Sequence, residues 1–441
     1  MSKPGMLSRF SRARDLTRRQ FLTATAKVGA VLVTPGIVPV SALGGNGAVA
    51  PSERIVLGGI GIGGRGSGDL SVALSQRDVQ VVAVCDVRKG NRERAKAMVD
   101  QRYGSSDCAA YTDFRDLLAR GDIDAVVMAP GDRWHTPMSV LAMRSGKDVY
   151  CEKPSTMTVA EGQVLVGTAR RYCRVFQAGM QRRSEAKFVL ADELARTGRL
   201  GKLHTVRAHT LPFEMKTDWL PAEPEPPKEE LDWDLWLGPA PWRPYNRGYL
   251  GGCGAFLNYY DFGTGVAGWC SHTICQCQGA IDADLTSAVD YEHPNNGNAD
   301  GFTARYANGV KLVLSIGGWR GSCGVRYEGA EGWVSVADGY SIPDVSAPSL
   351  LDDRKKLVQD YVERNQRPME HMRDFLNCVK TRRQPVANAE VAHRSMTTSH
   401  AANICMLLKR SVKWDPGNEE FVNDAEANRM RSRATREPWQ V

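Results

Sequence analysis

The sequence predicts an α/β protein: a doubly wound parallel sheet, followed by a second α/β domain with a mostly antiparallel, open sheet. Three observations carry this. From residue 54 to 178, short apolar runs alternate with stretches of helical composition, the rhythm of consecutive βαβ units. A glycine-rich turn, Gly61-Ile62-Gly63-Gly64-Arg65-Gly66, joins the first apolar run to the first helical stretch. Beyond residue 300, the segments 301–306, 310–316 and 333–336 read as antiparallel strands.

Residues 1–50 read as an address. Arg9, Arg12 and Arg14 precede Thr17-Arg18-Arg19-Gln20-Phe21-Leu22, which resembles the twin-arginine export signal. The apolar stretch from 28 to 40, broken by Pro35 and Pro39, is shorter than the roughly 20 apolar residues of a membrane span. Val40-Ser41-Ala42 offers a small-residue cleavage site and Ala48-Val49-Ala50 an alternative. A periplasmic protein is expected, with the twin-arginine machinery as a partner; an uncleaved segment would act as a membrane anchor instead. That route carries folded proteins, which suits a chain that binds a nucleotide before export. The 11 cysteines follow no disulfide-scaffold rhythm, and folding in a reducing cytoplasm requires none. Residues 1–50 hold seven basic residues against one acidic, most of the formal net charge of +7. The rest of the chain is nearly neutral and lacks the basic footprint of a nucleic-acid binder.

The strand opening at Arg54-Ile55-Val56-Leu57 runs into the glycine turn. Gly61, Gly63 and Gly66 have the G-x-G-x-x-G spacing. The first glycine permits the tight turn, the second lets backbone approach a pyrophosphate, and the third lets helix pack close to strand. Ile62, Gly64 and Arg65 complete the loop, and the helix behind it offers free N–H groups to phosphate. A second apolar strand, 79–85, ends at Asp86, twenty residues past Gly66, where a carboxylate accepts ribose hydroxyls. Asp86 argues for NAD by repelling a 2′-phosphate, while Arg88 offers a partial counter-charge that keeps NADP as an alternative. There is no phosphate-loop motif of the ATPase type.

The alternation continues with a helix over 91–103, a strand over 123–129, a helix over 136–144, a strand over 148–151, a helix over 159–172 and a strand over 175–177. The organisation expected is a signal segment (1–50), a nucleotide-binding domain (54–178), a substrate and oligomerisation domain (179–385) and a C-terminal helix and tail packing back on the body (386–441). Residues 219–249 are rich in Trp, Pro and Glu; Pro221, Pro224, Pro226 and Pro227 exclude a regular element there. The stretch reads either as a cover over the substrate mouth or as a packing arm between subunits. Helices are expected over 370–381 and 391–409.

The motifs Gly131-Asp132-Arg133-Trp134-His135, Gly146-Lys147-Asp148-Val149-Tyr150-Cys151-Glu152-Lys153-Pro154 and Gln177-Ala178-Gly179-Met180-Gln181-Arg182-Arg183-Ser184 resemble the Gfo/Idh/MocA family. So do Trp236-Leu237-Gly238-Pro239-Ala240-Pro241, Lys413-Trp414-Asp415-Pro416 and Arg436-Glu437-Pro438-Trp439, so the resemblance covers nearly everything after residue 53. The resemblance implies a Rossmann domain, a homo-oligomer, and a nicotinamide cofactor held in part by Glu152, Lys153 and Gln181. It implies that Lys153 stands beside the reacting carbon, where its charge stabilises a developing alkoxide, and that Trp134 and His135 line the nicotinamide side. A helix-capping core histidine is the alternative for His135.

The second domain departs from the family pattern of an acid, a histidine four residues on and a further acid. His272 is present, but Gly268 and Cys275 stand where the acids are usual. His272 is the best candidate for general acid/base work, with Asp261, Tyr259 or Tyr260 as possible replacements for the missing acid. Cys270, His272, Cys275 and Cys277 match no common zinc spacing, so no metal is expected. Three functions follow: hydride transfer between nicotinamide and a sugar or polyol, NAD-dependent glycoside cleavage by transient oxidation, and nucleotide binding without turnover.

Overall fold

The computed structural model describes residues 49–294 and 301–441. The chain divides into two units, Met1–Glu53 and Arg54–Val441. Of the first, the described residues end in one 3-10 turn, Pro51–Glu53. Arg18, Arg19 and the 40–42 cleavage motif lie outside the described residues, as does Ala48.

The second unit is built on two sheets. Strands β1 (Ile55–Ile60), β2 (Val79–Cys85), β3 (Ala109–Tyr111), β4 (Ala125–Met128), β5 (Asp148–Cys151) and β6 (Phe176–Ala178) run parallel in the order β3-β2-β1-β4-β5-β6. The order reverses between β1 and β4, the switch point at which α/β sheets take ligands. Val126 and Met128 enter the core on one face, Ala125 and Val127 on the other. Such a sheet is buried on both sides, which is why its strands read as continuous apolar runs. Helices Gly64–Ser75, Lys89–Tyr103 and His371–Thr381 cover one face; Asp132–Arg144, Val159–Arg171 and the first half of Ala389–Leu408 cover the other.

Two elements here escape the sequence reading. β3 has three residues, and the helix Phe114–Leu118 has five, capped by the Asp113 carboxylate accepting from the Arg115 N–H (2.9 Å). Both are too short for periodicity to register. The Asp132–Arg144 helix starts four residues before the expected 136, carrying Pro137 inside it. Proline favours a helix start, but here a turn forms ahead of it, with the Trp134 N–H on the Gly131 carbonyl (2.8 Å).

The second sheet holds β7 (Leu203–His209), β8 (Asp290–Glu292), β9 (Thr303–Arg305), β10 (Lys311–Ser315), β11 (Val325–Gly329), β12 (Gly332–Val336), β13 (Asp344–Val345), β14 (Val412–Asp415) and β15 (Glu420–Phe421). Their order is β13-β12-β11-β7-β10-β9-β8-β14-β15, antiparallel throughout except for the β7–β10 pair. Helices Ala186–Arg196 and Val266–Ala280, with the second half of Ala389–Leu408, pack on it. The 20-residue Ala389–Leu408 helix thus joins both cores, giving Met396 to one and Ile404 to the other.

Residues 219–249 are not wholly irregular. Trp233–Leu237 forms one helical turn, with the Asp232 carboxylate accepting from the Leu235 N–H (2.9 Å). Pro221, Pro224, Pro226 and Pro227 precede it and Pro239, Pro241 and Pro244 follow it, so none removes a donor from it. Trp233 and Trp236 stack at 4.6 Å between ring centres, and Tyr249 and Phe262 pack around them.

Candidate active site

A cavity of about 670 Å³ opens beyond the carboxyl ends of β1, β2, β4 and β5. Its floor is the glycine turn. Gly61 has φ of +69°, and a Cβ there would stand 2.5 Å from the Pro130 nitrogen. A Cβ on Gly66 would stand 2.4 Å from the Gly61 carbonyl oxygen. Close backbone approach therefore demands glycine at both. At Gly64 the same construction meets open space, and at Gly63 only the Asn91 side chain at 3.6 Å. Gly61, Gly63, Gly64 and Arg65 line the cavity. Ile62 and Gly66 do not: Ile62 turns into the core and Gly66 seals helix against turn. Their contribution is to the shape of the loop, a correction to the expectation of contact from every loop residue.

Asp86 lines the cavity at the end of β2. Its Oδ1 accepts from the Arg88 N–H (2.9 Å) and its Oδ2 from the Asn91 amide (3.3 Å), while burial pushes the carboxyl up. The Arg88 guanidinium is held on the Leu250 carbonyl (3.4 Å). Trp134 also lines the cavity, but its ring packs edge-on against Phe114 and Trp439 and its indole N–H donates to the Leu235 carbonyl (2.8 Å). The ring is thereby fixed in the wall that it forms with Phe114. His135 is buried with each ring nitrogen facing a carbonyl, Pro154 and Pro130. It pins together the segments that follow β4 and β5.

Lys153 and His272 reach the same cavity from different halves of the unit, one just past β5 and the other from the Val266–Ala280 helix. Lys153 Nζ donates to the Gly268 carbonyl (3.2 Å) and lies 5.7 Å from the centre of the Trp269 ring. His272 is buried, and its Nδ1 has no partner among the described residues. Burial first, then the charges of Lys153, Arg182 and Arg65, hold its imidazole well below the usual histidine range, so the ring is neutral. Glu152 accepts from Arg65 (2.9 Å), Gln181 (2.5 Å) and the Lys153 N–H (3.1 Å). Gln181 also lines the cavity and donates to the Tyr150 hydroxyl (2.9 Å).

None of the three replacements offered for the missing acid is part of this cavity. Asp261 is tied to Arg243, Tyr259 is packed among Tyr249 and Phe262, and Tyr260 lies under Arg433. Another carboxylate does reach the cavity. Asp132, first residue of the Asp132–Arg144 helix, lines the cavity, is buried, and accepts from the Thr264 hydroxyl (3.3 Å). Burial pushes its carboxyl up, opposed by the charges of His135, Lys153 and Arg133. Its signal in the sequence is its place in the Gly131–His135 motif. Position 268 itself faces Leu257, whose Cδ1 would lie 2.1 Å from a Cβ there. Cys275 Sγ accepts from Arg183 (3.4 Å), which is itself paired with Asp284 (2.7 Å).

Sequence reasoning missed Arg182, Trp269, Ser322 and Cys323 in the remaining walls, and it did not single out Leu235, Trp236, Tyr249 and Leu250, which also line the cavity. The latter group belongs to the expected covering stretch and its end. No cluster of three or more metal-ligating side chains occurs among the described residues.

The glycine cradle, open at Gly63 and Gly64 and flanked by Asp86, fits a dinucleotide. A family model described as the NAD-binding Rossmann fold of an oxidoreductase family (Gfo/Idh/MocA) matches residues 55–180. The model of that family's C-terminal alpha/beta domain matches residues 193–441. The chain belongs to the Gfo/Idh/MocA family. This Gfo/Idh/MocA protein is similar to a "Glycosyl hydrolase family 109 protein" of Saccharopolyspora erythraea, 36% identical over 37% of this chain and 39% of the relative. It is also similar to an "Alpha-N-acetylgalactosaminidase" of Shewanella oneidensis, 31% identical over 46% of this chain and 48% of the relative. The chain thus matches less than half the length of these curated relatives. Among solved structures it shares its fold with a myo-inositol 2-dehydrogenase of Lactobacillus plantarum, with a TM-score of 0.55 and 18% identity over 82% of this chain and 99% of that one.

Proposed function

We propose that the protein transfers hydride between a bound nicotinamide dinucleotide and a carbinol or carbonyl carbon of a sugar or polyol. The observation that carries this is the meeting of Lys153 and His272 in one cavity with the glycine turn. NAD is favoured over NADP because Asp86, at its strand end, repels a 2′-phosphate, and because Arg88 is engaged by Leu250. Bound nicotinamide supplies the hydride acceptor or donor. Lys153, with one donor on Gly268, presents its others to the substrate oxygen and stabilises the charge that develops there. Neutral His272 hydrogen-bonds the same substrate. Asp132, its carboxyl pushed up by burial, takes the hydroxyl proton in place of an acid on the Val266–Ala280 helix.

A second reading, cleavage of a glycoside through transient oxidation, is favoured by the names of the curated relatives. It needs only catalytic NAD and releases a free sugar. The test is to purify the protein, identify the bound nucleotide by mass spectrometry, and assay sugars and glycosides with and without added NAD(P). Stoichiometric NADH formation supports the first reading. Sugar release without net NADH supports the second. Inertness toward every substrate, with nucleotide bound, would leave a binding protein. We also propose twin-arginine export and assembly as a homo-oligomer. Arg18→Lys with Arg19→Lys should retain the protein in the cytoplasm, and a monomeric mass by light scattering would refute the assembly.

A further inference from the structure

Behind the glycine turn, two carboxyl groups are buried against a single guanidinium. Asp69 stands on the Gly64–Ser75 helix one turn after Arg65, and Glu152 directly follows β5. Each carboxylate side chain is only 4% exposed, whereas Arg65 between them is 54% exposed. Arg65 donates from Nη2 to Asp69 Oδ1 (2.8 Å) and from Nε to Glu152 Oε1 (2.9 Å). Glu152 has further donors in Gln181 and the Lys153 N–H. Asp69 Oδ2 has no donor among the described residues.

The neighbouring titratable groups do not supply the missing positive charge. Burial pushes the Tyr150 phenol and the Cys151 thiol up, so both stay protonated and neutral. Burial pushes the His371 imidazole, which faces Glu152 from the His371–Thr381 helix, down to about 4. His272, which faces Arg65, is neutral for the same reason. Two full carboxylates against Arg65 would leave a buried charge uncompensated, and like carboxylates in one desolvated site resist double ionisation. Burial first, then Glu152, push the Asp69 carboxyl up to about 8 against the pull of Arg65. A proton held there removes the excess charge and gives Asp69 Oδ2 its hydrogen bond.

We propose that Asp69 and Glu152 share one proton, and that binding of a dinucleotide pyrophosphate at the glycine turn is coupled to uptake of that proton. The inference rests on the dinucleotide reading above. Arg65 lines the cavity and is the cation common to the pair and the turn. A pyrophosphate at the turn either draws Arg65 off the carboxyl pair or adds negative charge beside it. Both make the protonated pair more favourable, and the proton comes from solvent. At acid pH the pair already holds its proton, and affinity is insensitive to pH. As pH rises through the value for Asp69, the free protein loses the proton that the complex keeps, and affinity weakens by up to about tenfold per pH unit.

The test is titration of wild-type protein and Asp69→Asn with NADH by fluorescence across pH, with calorimetry in two buffers of different ionisation heat to count protons taken up. Wild type should take up a proton fraction that grows with alkaline pH, and Asp69→Asn should bind with no uptake and a flat pH profile. The infrared difference spectrum of nucleotide-free wild type minus Asp69→Asn at neutral pH should show a protonated-carboxyl stretch belonging to wild type. A flat wild-type profile, absence of that stretch, or an Asp69→Asn profile as steep as wild type would overturn the proposal. Failure of wild type to bind NADH at any pH would sink the dinucleotide reading, while the infrared measurement would still decide whether the pair shares a proton.

Discussion

Lys153 is anchored to the main chain of the opposing helix, not to a carboxylate, because Gly268 leaves only a carbonyl within its reach. That arrangement commits one N–H of the amino group and leaves the others for substrate. Lys153→Ala should therefore lower turnover by about 10²–10⁴ and leave NADH affinity within a few-fold of wild type, as read by fluorescence titration. Equal losses in both would mean that the residue serves cofactor binding. The altered position 268 is not a simple vacancy that an acid would fill. In Gly268→Asp the new Cβ would meet Leu257 at 2.1 Å and Thr264, the partner of Asp132, at 3.0 Å. Leu257 would have to move, and two carboxyls would crowd one hydroxyl. We expect a lower melting temperature and no gain in turnover; a variant as stable as wild type and more active would refute this account.

The glycine turn and Asp86 were legible because their roles are local. A turn between strand and helix writes its steric demands into adjacent residues, and a Cβ on Gly61 or Gly66 would stand only 2.5 or 2.4 Å from backbone. Gly66→Ala should force the turn open and abolish NADH binding while the rest of the fold stays intact, a combination that circular dichroism with a binding titration would detect. Wild-type affinity in that variant would show that the turn tolerates the shift. The opposite walls were not legible. Trp236, Trp269 and Cys323 line one cavity from segments far apart in the chain, and no spacing rule connects them. Asp132 was hidden differently: a carboxylate at a helix start has a ready structural explanation, and only its burial beside Lys153 marks it as more. The one-turn helix Trp233–Leu237 was masked by the prolines just before it.

At the scale of the whole molecule, the parallel sheet is not finished by the segment that contains its strands. Met372, Phe375 and Leu376 of the His371–Thr381 helix fill the core with Leu57, Val127 and Tyr150. Arg373 and Lys380 bind Asp78, and Arg382 binds Asp148. The helix was expected from its pattern, but no pattern says which of two sheets a helix will join. Phe375→Ala, fully buried here, should cost about 3–5 kcal/mol of stability in chemical denaturation and weaken NADH retention on heating. A loss under about 1 kcal/mol would mean that the helix is dispensable to that core. The chain therefore leaves the nucleotide half, builds the other, and returns to close the first. A splice made at the crossover near residue 180, to trade one cofactor specificity for another between relatives, would separate a sheet from its own lid. What such proteins can exchange as a heritable part is two distant stretches together, and grafts that move only the first should yield chains that hold neither fold nor nucleotide.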